Sequence, residues 1–297
     1  MSLLDKLPKV EGAYRENANL GKMCWFQVGG SADVLFKPKD AQDLAYFMAN
    51  KPKDIPYFIF GVGSNVIIRD EGFRGVAIRL GRGFTNIECD GSVITAGAGA
   101  LDLNVAHFSA QSSVAGLEFL SGIPGTIGGA LAMNAGAYGT EIKDVLISAK
   151  AVTQAGEIIE LPNADFGFQY RSNALDNSLI FTEATFQGLK GNQANIEEEI
   201  AKIQSAREST QPIRSRTGGS TFKNPDGHKA WQLIDEAGCR GLQIGGAQVS
   251  EKHCNFFINT GNATAQDLEN LIQKVQSRVL KKSGVELKAE IRIIQAT

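Results

Sequence analysis

The chain has 297 residues, 43% of them hydrophobic and 21% charged, with a formal net charge of −2. That length holds a sizeable buried core, in one large domain or two to three modest ones. Near-neutral charge excludes a general polyanion binder, which needs a basic surface to displace counterions, and no stretch approaches the roughly 18 consecutive apolar residues of a membrane span. Residues 1–22 carry charges at Asp5, Lys6 and Lys9 and no apolar run of signal-peptide length. The four cysteines, Cys24, Cys89, Cys239 and Cys254, lie far apart with no CxxC pair. They read as reduced thiols of a cytoplasmic protein. With three isolated histidines, His107, His228 and His253, no metal site is expected.

The elements follow in order. Residues 32–36 read as a strand. Asp40 is placed to cap a helix whose Leu44, Phe47 and Met48 share one buried face. The apolar run 56–60 is the pattern of a strand covered on both sides and leads into Gly61-Val-Gly-Ser-Asn65. Residues 75–80 form the next strand. Strands at 86–89 and 93–96 flank Asp90-Gly91, a two-residue hairpin signal, and a helix is expected over 102–109. A second hairpin is expected from 145–153 and 157–161, and a strand from 179–186. The polar stretch 188–193 is a candidate boundary. Asn195 with Glu198 suggests the start of a helix presenting Ile196, Ile200 and Ile203. Ala230, Leu233, Ile234 and Ala237 mark a helix ended by Gly238, and Thr264 with Asp267 opens another that runs to Gly284. In the last segment Leu287, Ala289, Ile291 and Ile293 alternate with Lys288, Glu290 and Arg292, so the two sets face opposite ways along a strand. The class is α+β.

Glycine is the compositional outlier, with 33 residues against a usual share of about 7%. Gly61-Val-Gly-Ser-Asn65 invites a dinucleotide reading, but Val66 stands where the nicotinamide fingerprint needs its third glycine. It is either a plain strand-ending turn or a nest of N–H groups for a pyrophosphate. The longer segment Gly122–Gly139 lacks the Lys and Ser/Thr of a P-loop, since Gly129 and Ala130 follow Gly128. It serves either tight helix–sheet packing or the close approach of backbone to something flat or anionic. Two such loops, free of carboxylates until Glu141, suit two anchor points on one long dinucleotide. FAD is the better candidate.

At these residues the chain resembles the UDP-N-acetylenolpyruvoylglucosamine reductase family. The matching pieces are Trp25-Phe-Gln-Val-Gly-Gly30, Gly61-Val-Gly-Ser-Asn65, Gly116-Leu-Glu-Phe-Leu-Ser-Gly-Ile-Pro-Gly125, Met133-Asn-Ala-Gly-Ala-Tyr-Gly139, Tyr170-Arg171 and Gln211-Pro212. Later come Gly219-Ser-Thr-Phe-Lys-Asn-Pro225, Gly245-Gly-Ala-Gln-Val-Ser250 and Glu290-Ile-Arg292. The resemblance implies a two-lobed FAD-binding portion (1–82 and 83–190) like that of vanillyl-alcohol oxidase relatives, then an α/β substrate-binding domain (191–297). It implies FAD, NADPH as hydride donor and small-molecule substrates. The isolated histidines offer no flavin attachment point, so the FAD is expected to be non-covalent. A cytoplasmic monomer with no nucleic acid or membrane partner is expected. No tyrosine follows Tyr170, so the chain looks like the shorter family form, without the loop whose tyrosine covers the sugar diphosphate.

By the same resemblance the enzyme reduces the enolpyruvyl ether of UDP-N-acetylglucosamine enolpyruvate in peptidoglycan synthesis. Arg171 is then the cation at the substrate carboxylate, Ser220 the proton donor, and Glu290 the carboxyl group that assists. The implied cofactor contacts are Gly61, Gly63, Ser64, Asn65, Gly122, Ile123, Pro124, Gly125, Gly128, Gly129, Asn134, Ala135 and Gly136. Lys223, Asn224, Arg240, Gln248 and Arg292 are nominated for the substrate. Without the resemblance, Arg171 reads as a surface ion-pair residue, Ser220 as a turn residue and Glu290 as half of a cross-strand pair. An FAD-dependent oxidase and a nucleotide-binding module without turnover are the competing functions.

Overall fold

The structure, a computed structural model, describes residues 2–294. Helices and strands are interleaved along the chain, and packing divides it into two compact units. Unit 1 takes residues up to 16, 34–61 and 75–206, and unit 2 takes 17–33, 62–74 and the residues from 207 onward.

In unit 1, Tyr57–Ile59 pairs in parallel with residues 76–78, beside the strand Ser31–Lys37. The helix Ala41–Asn50 starts where expected, with the Asp40 carboxylate accepting the Asp43 N–H at 2.9 Å. Its Leu44, Phe47 and Met48 are buried with Val34, Phe36, Val76 and Ile78. Val152 and Ile180 join that same cluster.

The larger sheet of unit 1 is antiparallel, in the order Ile158–Pro162, Leu146–Val152, Ile180–Gln187, Val93–Gly97, Ile87–Asp90. Its inner face carries Ile94, Ala96, Ala149, Ala151, Ala184 and Phe186. Its outer face carries polar pairs such as Lys150 with Glu183 and Thr95 with Thr185. The small inner residues let the helices Asp102–Gln111 and Ile127–Met133 lie close, with Val105, Ala106, Ile127 and Leu131 in the shared core. The hairpin turn falls one residue later than expected. Asp90 pairs with Val93, leaving Gly91-Ser92 as the loop, and Gly91 takes φ +61° at the first loop position.

The helix Gln193–Thr210 also departs from expectation. Asn192, not Asn195, holds its first turn, accepting from the N–H groups of Ala194 and Asn195. Ile196 and Ile200 lie in the core of unit 1. Residues 191–206 therefore pack with unit 1.

In unit 2 an antiparallel sheet runs Arg216–Ser220, Phe256–Asn259, Ala247–Val249, Gln243–Ile244. The helix Ala265–Ser283 starts at a Thr264–Asp267 capping box and ends at Gly284 with φ +72°. It buries Leu268, Leu271, Ile272, Val275 and Val279. The helix Ala230–Glu236 buries Leu233 and Ile234. The terminal strand is shorter than the 287–293 alternation suggested. Arg292–Ile294 pairs in parallel with Val66–Ile68, and Ala289 bridges Phe222.

Candidate active site

The glycine segment of unit 1 is a loop followed by a short helix. Gly122, Ile123, Pro124 and Gly125 lead to Thr126, and the helix Ile127–Met133 follows. Its first turn is pinned to the end of the strand Val93–Gly97 and the residues after it, with Ile127 N–H on the Ala100 carbonyl at 3.0 Å and Gly128 N–H on Ala98 at 2.8 Å. That approach needs glycine, because a Cβ at 128 would stand 3.1 Å from the Ala98 oxygen. A Cβ at Gly61 would meet Thr126 Oγ1 at 3.3 Å. Residue 61, which opens the first glycine cluster, thus lies beside the second. Gly129 has open space on its Cβ side, with only Thr126 Oγ1 near, at 3.8 Å.

The rest of the first cluster belongs to unit 2. Gly63 takes φ +70°, and a Cβ there would come within 2.6 Å of Cys24 Cα. Its carbonyl accepts the Trp25 N–H at 2.9 Å. Among the described residues, no acceptor is found for the backbone N–H groups of Val62, Gly63, Ser64 and Asn65. Successive unpaired donors, without a carboxylate among them, suit a pyrophosphate. The residues present therefore fit the phosphate tether of a dinucleotide.

Asn65 is tied to the other expected machinery. Its Nδ2 donates to the Glu290 carbonyl at 3.3 Å, and its own carbonyl accepts the Arg292 N–H at 3.1 Å. Glu290 N–H in turn donates to the Thr221 carbonyl at 2.8 Å, and Lys223 N–H to the Lys288 carbonyl at 2.9 Å. Ser220 and Glu290 are thus brought together by main-chain bonds of their immediate neighbours.

Ser220 ends the strand Arg216–Ser220, where the register shifts between Thr217 and Ser220. Gly219 at φ +75° makes that irregularity possible, and such bulges re-aim a side chain at a strand end. Gly218 is required by packing, since a Cβ there would lie 2.4 Å from the Phe26 ring and 2.8 Å from Ile291 Cδ1. The loop after Ser220 is fixed by Asn255, which was not anticipated. This buried amide accepts Phe222 N–H at 3.0 Å and donates to the Phe222 carbonyl at 2.8 Å. A lone amide in the otherwise apolar run Cys254 to Ile258 was the available signal.

Arg171 lies in unit 1, at the second position of a tight turn closed by Gln169 and Ser172. It takes φ +56°, and its guanidinium donates to the Gly136 carbonyl at 3.0 Å and stands 5.0 Å over the Tyr170 ring. Of the expected cofactor residues, Ala135 joins the backbone network, its N–H on the Ala130 carbonyl and its own carbonyl accepting from Ile142. Asn134 is fully buried and its side-chain amide is engaged by protein.

The substrate nominations divide. Asn224 Oδ1 accepts the Ala230 N–H at 3.0 Å, at the start of the helix Ala230–Glu236. Lys223 is half-buried and Arg292 exposed. Gln248 Nε2 reaches the Gly241 carbonyl at 3.4 Å. Arg240 grips Asp235 through two bonds, of 2.9 and 2.6 Å, and donates to the Glu251 carbonyl. That pairing holds the Asp235 carboxyl below its usual range. Two buried groups went unnoticed in the sequence. Asp102 has no hydrogen-bond partner on either carboxyl oxygen, and burial pushes its pKa well above the ordinary value. Thr221 Oγ1, one residue past Ser220, is likewise unpartnered. Among the described residues no cluster could hold a metal ion, and no helix is long and apolar enough to cross a membrane.

A glycine cradle suited to a dinucleotide, together with the match of residues 32–162 to the FAD binding domain family, defines an FAD-containing oxidoreductase. Residues 211–294 match the family described as UDP-N-acetylenolpyruvoylglucosamine reductase, C-terminal domain. The chain is 57% identical to the UDP-N-acetylenolpyruvoylglucosamine reductase of Parvibaculum lavamentivorans, over 99% of this chain and 94% of that one. It is 56% identical to that of Azorhizobium caulinodans, over 99% and 95%. The crystal structure of the reductase from Thermus caldophilus superposes with a TM-score of 0.83 at 31% identity, covering 96% of this chain and 99% of that one. The chain belongs to the UDP-N-acetylenolpyruvoylglucosamine reductase family. At 12% identity and a TM-score of 0.53, 6-hydroxy-D-nicotine oxidase of Arthrobacter nicotinovorans shares the fold alone, over 94% of this chain and 88% of that one.

Proposed function

We propose that this enzyme reduces the enolpyruvyl ether of UDP-N-acetylglucosamine enolpyruvate to the lactyl ether of UDP-N-acetylmuramate, with NADPH as donor, in cytoplasmic peptidoglycan synthesis. The observation that carries the reading is likeness to the named reductases over nearly the whole chain, both units included. When bound, FAD supplies the relay that accepts a hydride from NADPH and passes it to the terminal alkene carbon.

The residues of the chain do the rest. Backbone N–H groups of 62–65 would hold the cofactor along its phosphate tether. Arg171 receives the substrate carboxylate in a two-bond fork and stabilises the negative charge that develops there when the alkene is reduced. Its guanidinium stays charged at any working pH. Ser220 gives the proton from Oγ to the carbon adjacent to the carboxylate, which completes the saturated ether, and it recovers that proton from solvent. Glu290, whose N–H donates to the carbonyl of Thr221 next to Ser220, assists this protonation. Lys223, Asn224, Arg240, Gln248 and Arg292 contribute to substrate binding.

An anaerobic two-step titration tests the reading. The protein should be yellow, lose its flavin absorbance on addition of one equivalent of NADPH, and regain it on addition of UDP-N-acetylglucosamine enolpyruvate. Recovery with oxygen but not with the enolpyruvyl ether would instead make it an oxidase.

A further inference from the structure

We propose that Asn134 is a positioning residue for Arg171, its buried amide holding the Tyr170-Arg171 turn in the conformation that offers the guanidinium to the substrate. The inference rests on the reading of Arg171 as the carboxylate-binding cation. It goes beyond that reading by naming what fixes the arginine.

The turn is closed by Gln169 N–H on the Ser172 carbonyl at 3.0 Å and Ser172 N–H on the Gln169 carbonyl at 3.2 Å. Only two residues lie between, and one of them, Arg171, takes φ +56°. The left-handed region crowds any residue with a Cβ, so surrounding structure must impose it. Two groups of the 134–136 segment do so. Asn134 Nδ2 donates to the Gln169 carbonyl at 3.1 Å, adding to the bond that carbonyl takes from Ser172. The Gly136 carbonyl accepts from Arg171 Nη2 at 3.0 Å. Gly136 is itself locked in place, since a Cβ there would stand 2.6 Å from Glu141 Cγ.

The side chain of Asn134 is turned to protein on every side. Its second amide hydrogen goes to Glu141 Oε2 at 3.0 Å, and its Oδ1 accepts the Lys143 N–H at 3.0 Å. Both donors are thus used and the oxygen is engaged, in a residue with 0% exposure. Its backbone is left-handed too, φ 40° and ψ 54°, where it ends the helix Ile127–Met133. The amide therefore joins the end of that helix, the 141–143 segment and the arginine turn.

Asn134→Gly keeps the backbone, because glycine adopts the left-handed region without strain, and removes the amide. Asn134→Asp keeps the shape and the acceptor for Lys143 but sets an oxygen against the Gln169 carbonyl. In the FAD-loaded enzyme each should slow reoxidation by UDP-N-acetylglucosamine enolpyruvate by about 10- to 100-fold, the usual cost of a small misplacement at a reacting centre. Reduction by NADPH should stay within about twofold of wild type. Substrate affinity, read by titrating the oxidised flavin spectrum, should fall in parallel with that seen in Arg171→Lys. The double variant Asn134→Gly/Arg171→Lys should be little slower than Arg171→Lys alone, since both changes remove one function.

Additive effects, or equal slowing of both half-reactions, would overturn the inference. So would loss of FAD from both Asn134 variants, which would assign the amide to the fold. The two readings fail separately. A wild-type reoxidation rate in Arg171→Lys removes Arg171 from its role, whereas slow Arg171→Lys with fast Asn134 variants removes only the positioning role.

Discussion

A serine hydroxyl is a poor acid, so Ser220 can give up its proton only to a strongly basic carbon, at the moment the enolate forms. Replacing it with alanine should leave NADPH reduction of FAD untouched and slow reoxidation by about 10²- to 10⁴-fold, the range for a positioned proton donor. Stopped-flow traces of the two half-reactions check this directly. Asp102 makes a second prediction. Its folded pKa is raised by burial, so the folded chain holds a proton that the unfolded chain releases near the ordinary value of about 3.9. The sign follows: stability is fully present below that value and is lost as pH rises through the folded pKa. Asp102→Asn should therefore gain on wild type by up to about 1.4 kcal/mol per pH unit within that window, measured by urea unfolding between pH 5 and pH 8. A gap that does not change with pH would mean that Asp102 is not buried as the neutral acid. That burial was not legible in the sequence: Asp102 stands in the first turn of its helix, and nothing local says that both its oxygens face protein. Asn134 was legible as a notable residue, but its partners lie 7 to 35 positions away, and only the folded chain shows that its amide faces them.

Among the elements, those whose ends are decided locally were read correctly. Thr264 and Asp267 cap the helix Ala265–Ser283 by bonds of 3.0 and 3.1 Å to each other's backbone, within one turn of chain. Thr264→Ala should cost about 1 kcal/mol of stability, seen as a lower urea midpoint with an unchanged slope. Where two neighbouring residues compete for one task, pattern alone chose wrongly. Asn192 outcompetes Asn195 because Ile196 and Ile200 must face the core and so set where the first turn begins. Gly91 moves the hairpin loop on by one residue because it can occupy the first loop position at φ +61°. The helix Ile127–Met133 was missed altogether. Two glycines open it, and glycine disfavours a helix by about 1 kcal/mol each. Burial of Ile127, Ala130 and Leu131 overrides that local preference.

For the whole molecule, the hardest feature to read was that each unit is stitched from separated segments. Unit 2 gathers 17–33, 62–74 and the residues from 207 on, through contacts such as Arg69 with Glu269 at 2.8 Å and Arg69 N–H on the Ile294 carbonyl at 3.0 Å. A linear scan for composition shifts sees only the polar stretch at 188–193 and places a boundary there. If FAD binds the folded chain alone, free FAD at about a hundredfold over its Kd should add about 2.7 kcal/mol to unfolding stability. A thermal melt whose midpoint does not respond to FAD would contradict this.

The missing side chain at Gly218 leaves a mark on how this lineage can change. The ring of Phe26 and the end of Ile291 fill the place where a methyl group would go, so alanine at 218 should be tolerated better where a smaller residue stands at 26. The two positions, 192 apart along the gene product, should drift as a pair. Phe26→Leu should therefore rescue part of the damage done by Gly218→Ala, while Gly218→Ala alone should accumulate poorly in cells.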